Sequence, residues 1–235
     1  MLIVCDFDGT LTARDTNSEL AVRFAAERYA ALEGRLARRE ITVRETLAGE
    51  FEGLDVPLAD LVDAALAIPI RRGFRELVEA TRAAGGEFVL MSTGFRQIIE
   101  PLLERDGLLD LAPLRANDMV ETAGGLHLEW RDMPDCERCG EHCKRSEVTR
   151  LRAGDLPEVS RAHEHVVFIG DGFSDRCGAD AADRIFARDS LAAWLDEQGL
   201  VWESWNDFHD ITRALGLGAH APAASVHPGP PGPAA

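Results

Sequence analysis

The stretch that decides the fold is LIVCDFDGT at residues 2–10. Its first four residues are apolar and predict a buried strand, and Asp6 and Asp8 follow at the carboxyl end of that strand. An open α/β sheet places its chemistry in the crevice beyond the carboxyl ends of its strands. Because side chains alternate along extended backbone, we expect the two carboxylates to share one side of the strand tip. The glycine and Thr10 that follow are typical of a turn.

A second acidic cluster follows another short strand pattern. The apolar run VVFI at residues 166–169 leads into GDGFSD at residues 170–175, which contains Asp171 and Asp175. If the two strands are adjacent and parallel, four aspartates meet, and such carboxylates raise one another's pKa unless a cation compensates. An oxygen-only ligand set predicts Mg²⁺ rather than Zn²⁺ or Ca²⁺. The alternative is two unrelated turns.

A third strand pattern leads into a predicted anion site. The run EFVLM at residues 87–91 is followed by Ser92, Thr93 and Gly94, and then by a helical pattern over residues 95–104. A hydroxyl and free backbone amides at a helix amino terminus suit a phosphate group. The alternative is a helix cap that binds no ligand.

Lys144 is the single lysine of the sequence, in which Lys and Arg together number 25. Its compact ammonium fits between a carboxylate and a phosphate, where the planar guanidinium of arginine is too large. A solvated surface lysine is the alternative. Its position between the other motifs favours a functional role.

Four motifs therefore occur in a fixed order: DFDGT at residues 6–10, Ser92, Lys144 and GDGFSD at residues 170–175. This order resembles the phosphatases of the haloacid dehalogenase superfamily. The chain is most similar to the branch (subfamily IB) that contains phosphoserine phosphatase and 2-hydroxy-3-keto-5-methylthiopentenyl-1-phosphate phosphatase. The resemblance implies an α/β fold with a Rossmann-like core, a parallel sheet and a small helical cap.

The resemblance also implies a role for each motif residue. Asp6 would be the nucleophile that forms an aspartyl-phosphate, and Asp8 the general acid and base. Mg²⁺ would be held by Asp6, Asp8 through its backbone carbonyl and Asp171. Asp175 would be a further ligand or an outer partner through water. The residues implied to contact phosphate are Thr10, Ser92, Thr93, Gly94 and Lys144. The implied function is hydrolysis of a small phosphorylated metabolite, with a phosphomutase or a non-catalytic phosphometabolite-binding protein as alternatives.

The resemblance implies a cap between the first and second motifs, and apolar periodicity predicts its helices. We predict a core over residues 1–12 and 73–215, a helical cap over 13–72 and a disordered tail over 216–235. The pattern predicts cap helices over 18–33, 42–52 and 58–67, a β-hairpin over 119–130, and late strands over 185–187 and 200–202.

A cysteine-rich run precedes the lysine. Cys136, Cys139, Cys143 and His142 offer enough ligands for a tetrahedral Zn²⁺ site. Against zinc, such sites usually draw ligands from two separated elements. A disulfide, or thiols that only shape the loop presenting Lys144, stay open as alternatives. Small buried side chains are expected for the two other cysteines, Cys5 and Cys177.

Substrate specificity rests on two candidate residues. The spacing of Asp15 after the first motif matches the acid with which phosphoserine phosphatases hold the substrate amine. A hinge residue or a helix cap is the alternative for Asp15. Arg44 is a candidate for an anionic substrate group, although most of the arginines are expected to be ordinary surface charge.

The whole-chain composition limits the function classes. A formal net charge of −16 over 235 residues disfavours nucleic-acid and anionic-membrane partners. No apolar run approaches the roughly 20 residues of a membrane span, and the amino terminus lacks the pattern of a signal peptide. We therefore expect a cytoplasmic enzyme, monomeric or homodimeric, whose partner is a small phosphorylated metabolite.

Overall fold

A mostly parallel sheet organises the chain. The computed structural model describes residues 1–132, 134–140, 143–217 and 226–227, and in this part the sheet has eight strands. The strands are β1 (Leu2–Asp6), β2 (Glu87–Phe95), β3 (Leu114–Thr122), β4 (Gly125–Glu129), β5 (Val166–Gly170), β6 (Arg184–Ala187), β7 (Trp202–Ser204) and β8 (Val226–His227). Their order across the sheet is β4-β3-β2-β1-β5-β6-β7-β8, with β4 and β8 antiparallel to their neighbours.

Helices form the rest of the ordered framework. They are α1 (Thr16–Phe24), α2 (Ala26–Ala37), α3 (Val43–Phe51), α4 (Leu58–Ala65), α5 (Phe74–Ala83), α6 (Arg96–Arg105), α7 (Lys144–Ala153), α8 (Arg176–Ala179), α9 (Asp189–Gln198) and α10 (Phe208–Ala214). None of the helices in the described ranges is both long and apolar enough to cross a membrane. The first four helices lie between β1 and α5, where the cap is predicted.

The central strand β1 is buried on both faces. Ile3 and Cys5 belong to one apolar cluster, whereas Leu2 and Val4 belong to a second. This alternation follows from the two-residue period of a strand whose two faces are both covered. Because β1 pairs in parallel with both β2 and β5, the carboxyl ends of the three strands lie along one edge.

The chain leaves and re-enters the core side by side. Thr12 and Ile70 form an antiparallel bridge. Ala13 donates its backbone N–H to the carbonyl of Pro69 at 2.8 Å. The segment predicted as the cap therefore begins and ends directly beside the turn that follows β1.

The first cap helix differs from the prediction. A single helix over residues 18–33 was expected, but α1 and α2 are separate because Ala25 leaves helical geometry at φ −138° and ψ 35°. Asp15 caps α1, one of the alternatives predicted for it, and its carboxylate accepts the Ser18 N–H at 2.7 Å. Alanine is a strong helix former, so no residue type in this stretch indicates the break.

The other predicted elements differ from the structure only at their ends. The hairpin is confirmed as β3 and β4, and β7 begins two residues later than predicted. The predicted helix at residue 95 begins at Arg96, because β2 continues through Phe95. Of the predicted tail, residues 218–225 and 228–235 lie outside the described residues. Leu217 packs against the core, and β8 pairs with β7.

Candidate active site

The predicted site residues come from four segments that meet at one edge of the sheet. Asp6 ends β1, Ser92 lies in β2, and Asp171 follows β5. Lys144 is the first residue of α7. Since the carboxyl ends of parallel strands share an edge, these residues, distant in sequence, become neighbours.

The turn after β1 is held by a network of backbone contacts. Thr12 Oγ1 accepts the Gly9 N–H at 3.0 Å, and the Arg71 guanidinium donates to the carbonyls of Gly9 and Thr10, each at 3.1 Å. Gly9 has φ +76°, which favours glycine. A Cβ on Gly9 would also lie only 2.3 Å from Asp171 Oδ2. The glycine therefore allows the first and last motifs to touch.

Thr10 lies at that contact. Its hydroxyl donates to Asp171 Oδ1 at 2.6 Å, and its side chain is fully buried. The resemblance implied a phosphate contact for Thr10, whereas in the structure its hydroxyl orients the Asp171 carboxylate.

Lys144 lies between two aspartates in the interior. Its ammonium donates to Asp6 Oδ1 and, at 2.7 Å, to Asp175 Oδ1. The three residues are at most 3% exposed. Burial alone would lower the pKa of Lys144, but the carboxylates of Asp175 and Asp6 outweigh it and raise that pKa. The ammonium is therefore held in its charged form.

Asp175 is engaged on both of its oxygens. Oδ1 accepts from Lys144, while Oδ2 accepts the backbone N–H groups of Asp171 and Gly172, each at 3.0 Å. Asp175 thus fixes both the lysine and the loop after β5. Of the two roles considered for it, a direct metal ligand or an outer partner through water, these contacts favour the second.

Asp8 lies beside Ser92 in β2, where a phosphate contact is predicted. The Ser92 hydroxyl donates to Asp8 Oδ2 at 2.7 Å and accepts the Gly94 N–H, also at 2.7 Å. Burial, followed by the nearby Asp15, raises the pKa of Asp8 to about 7. A carboxyl group in this range can both donate and accept a proton near neutral pH.

The carboxylates of the site fit a hard divalent cation. Asp6, Asp171 and Asp175 each offer one oxygen, and these oxygens all lie within 4.8 Å of one another. Burial, followed by the charge of Asp175, raises the pKa of Asp171 to about 7, and burial likewise raises the pKa of Asp6. Carboxylate oxygens are the donors that Mg²⁺ prefers, and a bound cation would offset the repulsion that raises these pKa values. Asp6 and Asp171 would be its direct ligands, since both oxygens of Asp175 already accept hydrogen bonds.

A cavity of about 400 Å³ opens in front of these residues, between core and cap. Six carboxylates and one guanidinium line it, namely Asp6, Asp8, Asp15, Glu33, Glu50, Asp171 and Arg176. Asp15 therefore both caps α1 and faces the cavity. Arg44 lines a smaller adjoining cavity together with Thr93 and Lys144, and its guanidinium stacks 5.0 Å from the centre of the Trp130 ring.

Comparison with known proteins agrees with this arrangement. A family model of haloacid dehalogenase-like hydrolases matches residues 3–180. The chain belongs to this family. This match confirms the predicted family. The relatives described in the next paragraph confirm the predicted enzyme class, and the protein is a phosphatase of the haloacid dehalogenase type. Family and relatives together support phosphoester hydrolysis as its reaction.

Two curated relatives match nearly the whole chain. The 2-hydroxy-3-keto-5-methylthiopentenyl-1-phosphate phosphatase of Brevibacillus brevis is 31% identical over 217 residues, covering 92% of this chain and 95% of the relative. The bifunctional enzyme MtnB/MtnX of Bacillus licheniformis is 31% identical over 219 residues, covering 91% of this chain. The chain spans only 49% of that second relative, about half its length.

A solved structure confirms the fold class. The structure titled as a phospho-aspartyl intermediate analogue of phosphoserine phosphatase matches with a TM-score of 0.65 at 21% identity. The match covers 89% of this chain and 96% of the other. The α/β Rossmann-like core is therefore shared with that protein.

Several residues of this phosphatase site were missed from the sequence. Arg131 donates to the Ser92 carbonyl at 2.9 Å and pairs with Glu147, which is itself buried. Asn117 donates to the Thr93 carbonyl at 2.7 Å. These hydrogen bonds hold the backbone of Ser92 and Thr93 in place. Like Arg71, these residues lie in no motif, and the sequence offers no signal that separates them from other polar residues.

The cysteine run has an additional member. Cys136, Cys139, Cys143 and Cys177 place their sulfur atoms within 4.8 Å of one another. The prediction that Cys177 is only a small buried side chain is wrong, since it is half-buried and belongs to this cluster. Cys5 is fully buried, as predicted. His142 lies outside the described residues.

Proposed function

We propose that this phosphatase is a magnesium-dependent phosphomonoesterase that acts through an aspartyl-phosphate on Asp6. The observation that carries the proposal is the position of the Asp6 carboxylate. It lies on the cavity, is bonded to Lys144 on one side and clusters with Asp171 on the other. A nucleophile at this position has a cation beside it for the phosphoryl oxygens and a ligand partner for a metal.

The reaction divides into two steps. In the first, Asp6 attacks phosphorus, the bond to the leaving oxygen breaks, and Asp8 gives that oxygen its proton. In the second, Asp8 removes a proton from water, which attacks the phosphorus and releases inorganic phosphate from Asp6. Ser92 orients Asp8 through its 2.7 Å hydrogen bond. A bound Mg²⁺ would offset the negative charge of the carboxylates and the phosphate.

The proposed substrate is a small phosphorylated metabolite whose leaving group carries no second anion. Glu33, Glu50 and Asp15 line the cavity on its cap side and would repel a carboxylate. A cavity of about 400 Å³ admits a small molecule. The compound in the name of the Brevibacillus brevis relative, 2-hydroxy-3-keto-5-methylthiopentenyl-1-phosphate, fits this description and is our first candidate.

The test measures phosphate release from a panel of metabolites with and without Mg²⁺. The panel contains the methylthiopentenyl phosphate, phosphoserine, phosphoethanolamine, pyridoxal phosphate and p-nitrophenyl phosphate. We expect Mg²⁺-dependent release that is lost in Asp6→Asn and kept in Asp55→Asn, a control at an exposed loop position. Rapid acid quench with labelled substrate should trap label on the parent chain and not on Asp6→Asn.

Three results would contradict the proposal. Equal rates of phosphate release in Asp6→Asn and parent would show that Asp6 is not the nucleophile. Transfer of the phosphoryl group from Asp6 back to the bound intermediate, which forms a bisphosphate without net phosphate release, would identify a phosphomutase. Tight binding of the panel compounds without any turnover would identify a phosphometabolite-binding protein.

A further inference from the structure

The cysteine cluster lies outside the proposed chemistry and has the composition of a metal site. Cys136, Cys139 and Cys143 come from the loop that precedes α7, and Cys177 comes from α8. Their four sulfur atoms all lie within 4.8 Å of one another. We infer that the four cysteines bind one Zn²⁺ ion that is structural and separate from the magnesium site.

The distances suit tetrahedral zinc. Zinc–sulfur bonds of about 2.3 Å in a tetrahedron place the sulfur atoms about 3.8 Å apart. The upper limit of 4.8 Å on the present separations exceeds that value by only about 1 Å. Four thiolates leave no open coordination position, which is the pattern of structural rather than catalytic zinc.

The local backbone brings the first two thiols together. Gly140 has φ +71° and donates its N–H to the Cys136 carbonyl at 2.8 Å. This turn folds the chain back immediately after Cys139, so that both sulfur atoms point to one place. A glycine is suited here because other residues rarely adopt that φ.

The fourth ligand removes the main sequence argument against zinc. Three cysteines within one short loop cannot easily surround a metal, but Cys177 supplies a sulfur from a separate helix. A disulfide would use two thiols and leave two without a role, whereas zinc uses all four. Binding needs all four cysteines as thiolates, and four thiolates with one Zn²⁺ leave the site with a charge of −2.

Nearby arginines offset that charge. Arg39, Arg138 and Arg176 line the cavity that also contains Cys139, Cys143 and Cys177. Arg138 and Arg145 both pair with Asp180, just beyond α8. These ion pairs join the cysteine loop to the region around Cys177.

The position of the site gives zinc a positioning role. Cys143 immediately precedes Lys144, and Cys177 lies two residues after Asp175. A zinc ion bound to both would fix the two partners of the buried lysine–aspartate pair relative to each other. The inference does not rest on the phosphatase proposal, because metal content can be measured without any substrate.

The test uses the full chain purified under reducing conditions, with zinc measured by plasma mass spectrometry. We expect one zinc per chain, lost in Cys177→Ser and Cys139→Ser and kept in Cys5→Ser, the control cysteine. Asp6→Asn should also keep its zinc, since that residue belongs to the magnesium site. Replacement of zinc by Co²⁺ in the parent should give an intense thiolate-to-cobalt band and tetrahedral visible bands.

The cobalt spectrum keeps the test decisive if a cysteine variant fails to fold. A parent chain that binds neither Zn²⁺ nor Co²⁺ while folded would overturn the inference. So would zinc that survives Cys177→Ser or is lost in Asp6→Asn. A disulfide between these cysteines in parent chain purified without reductant, shown by mass after alkylation, would also overturn it.

Discussion

The Lys144 ammonium and the Asp175 carboxylate form an ion pair that is closed to solvent, with Nζ 2.7 Å from Oδ1. The same ammonium also bonds to Asp6. A buried pair is costly to break, because removing one partner leaves the other charged and unsolvated. The lysine therefore contributes to folding in addition to the chemical role proposed for it.

Lys144→Met should lower the free energy of unfolding by about 3–5 kcal/mol, because Asp6 and Asp175 lose their shared cation. Adding Asp175→Asn removes one of the two carboxylates left without a cation. The double variant should therefore lose less stability than the sum of the losses in the two single variants. Urea unfolding at neutral pH measures both effects. Arg72→Met, whose partner Asp207 lies 3.5 Å away at the surface, should change stability by less than about 1 kcal/mol. Additive losses would contradict a shared buried pair.

Gly9→Ala should abolish most of the activity, because the new Cβ would collide with the Asp171 carboxylate. The matched control is Gly85→Ala, which has a similar φ, +73°, but no atom within 4 Å of the added Cβ. Both variants should lose about 1–2 kcal/mol of stability from the left-handed backbone. Only Gly9→Ala should also weaken Mg²⁺ activation, seen as a raised Mg²⁺ requirement for p-nitrophenyl phosphate hydrolysis. Equal Mg²⁺ requirements in the two variants would argue against the contact.

The sequence predicts that the motif residues converge at one site, but it does not predict the side chains that hold the backbone of that site in place. Asp6 and Asp171 follow apolar runs, and parallel strands bring such ends to one edge. Arg71 and Arg131 carry no such signal, because they contact backbone carbonyls that any residue supplies. Cys177 was missed for a related reason, since its three partners lie more than thirty residues away in the sequence.

Glu50 is a buried acid on the cap side of the cavity. Burial raises its pKa to about 7, and the negative charges of Glu33 and Asp15 add to the effect. Tyr29 is also close enough to interact with it. The nearby Arg28 donates to the Glu50 backbone carbonyl, at 3.2 Å. The carboxylate form of Glu50 is therefore unfavourable in the folded chain.

Stability should consequently fall as the pH rises. Below the ordinary pKa of 4.5, Glu50 is protonated in both states and contributes nothing. Above about pH 7 the folded chain bears the full penalty, about 3 kcal/mol. Glu50→Gln should therefore raise the melting temperature at about pH 8 and leave it unchanged at about pH 3.5, well below the ordinary pKa. Glu27→Gln, at an exposed position of α2, is the control and should show no such pH dependence. A constant difference between Glu50→Gln and parent would refute the shifted pKa.

Asp8→Asn separates proton transfer from the rest of the chemistry. The variant keeps an oxygen that can accept from Ser92, so the local geometry is retained while the acid is lost. For an alkyl phosphate, kcat/KM should fall about 10²- to 10⁴-fold, because the alkoxide leaves without a proton.

For p-nitrophenyl phosphate the fall in kcat/KM should be clearly smaller, since its leaving group is stable as an anion. The ratio kcat/KM is the suitable measurement because it reports the steps up to the first irreversible one, here transfer to Asp6. Ser92→Ala should show the same dependence on leaving group in weaker form, as Asp8 then loses its orienting donor. Equal losses on both substrates in Asp8→Asn would mean that Asp8 does not protonate the leaving oxygen, and its place beside Ser92 would then need another explanation.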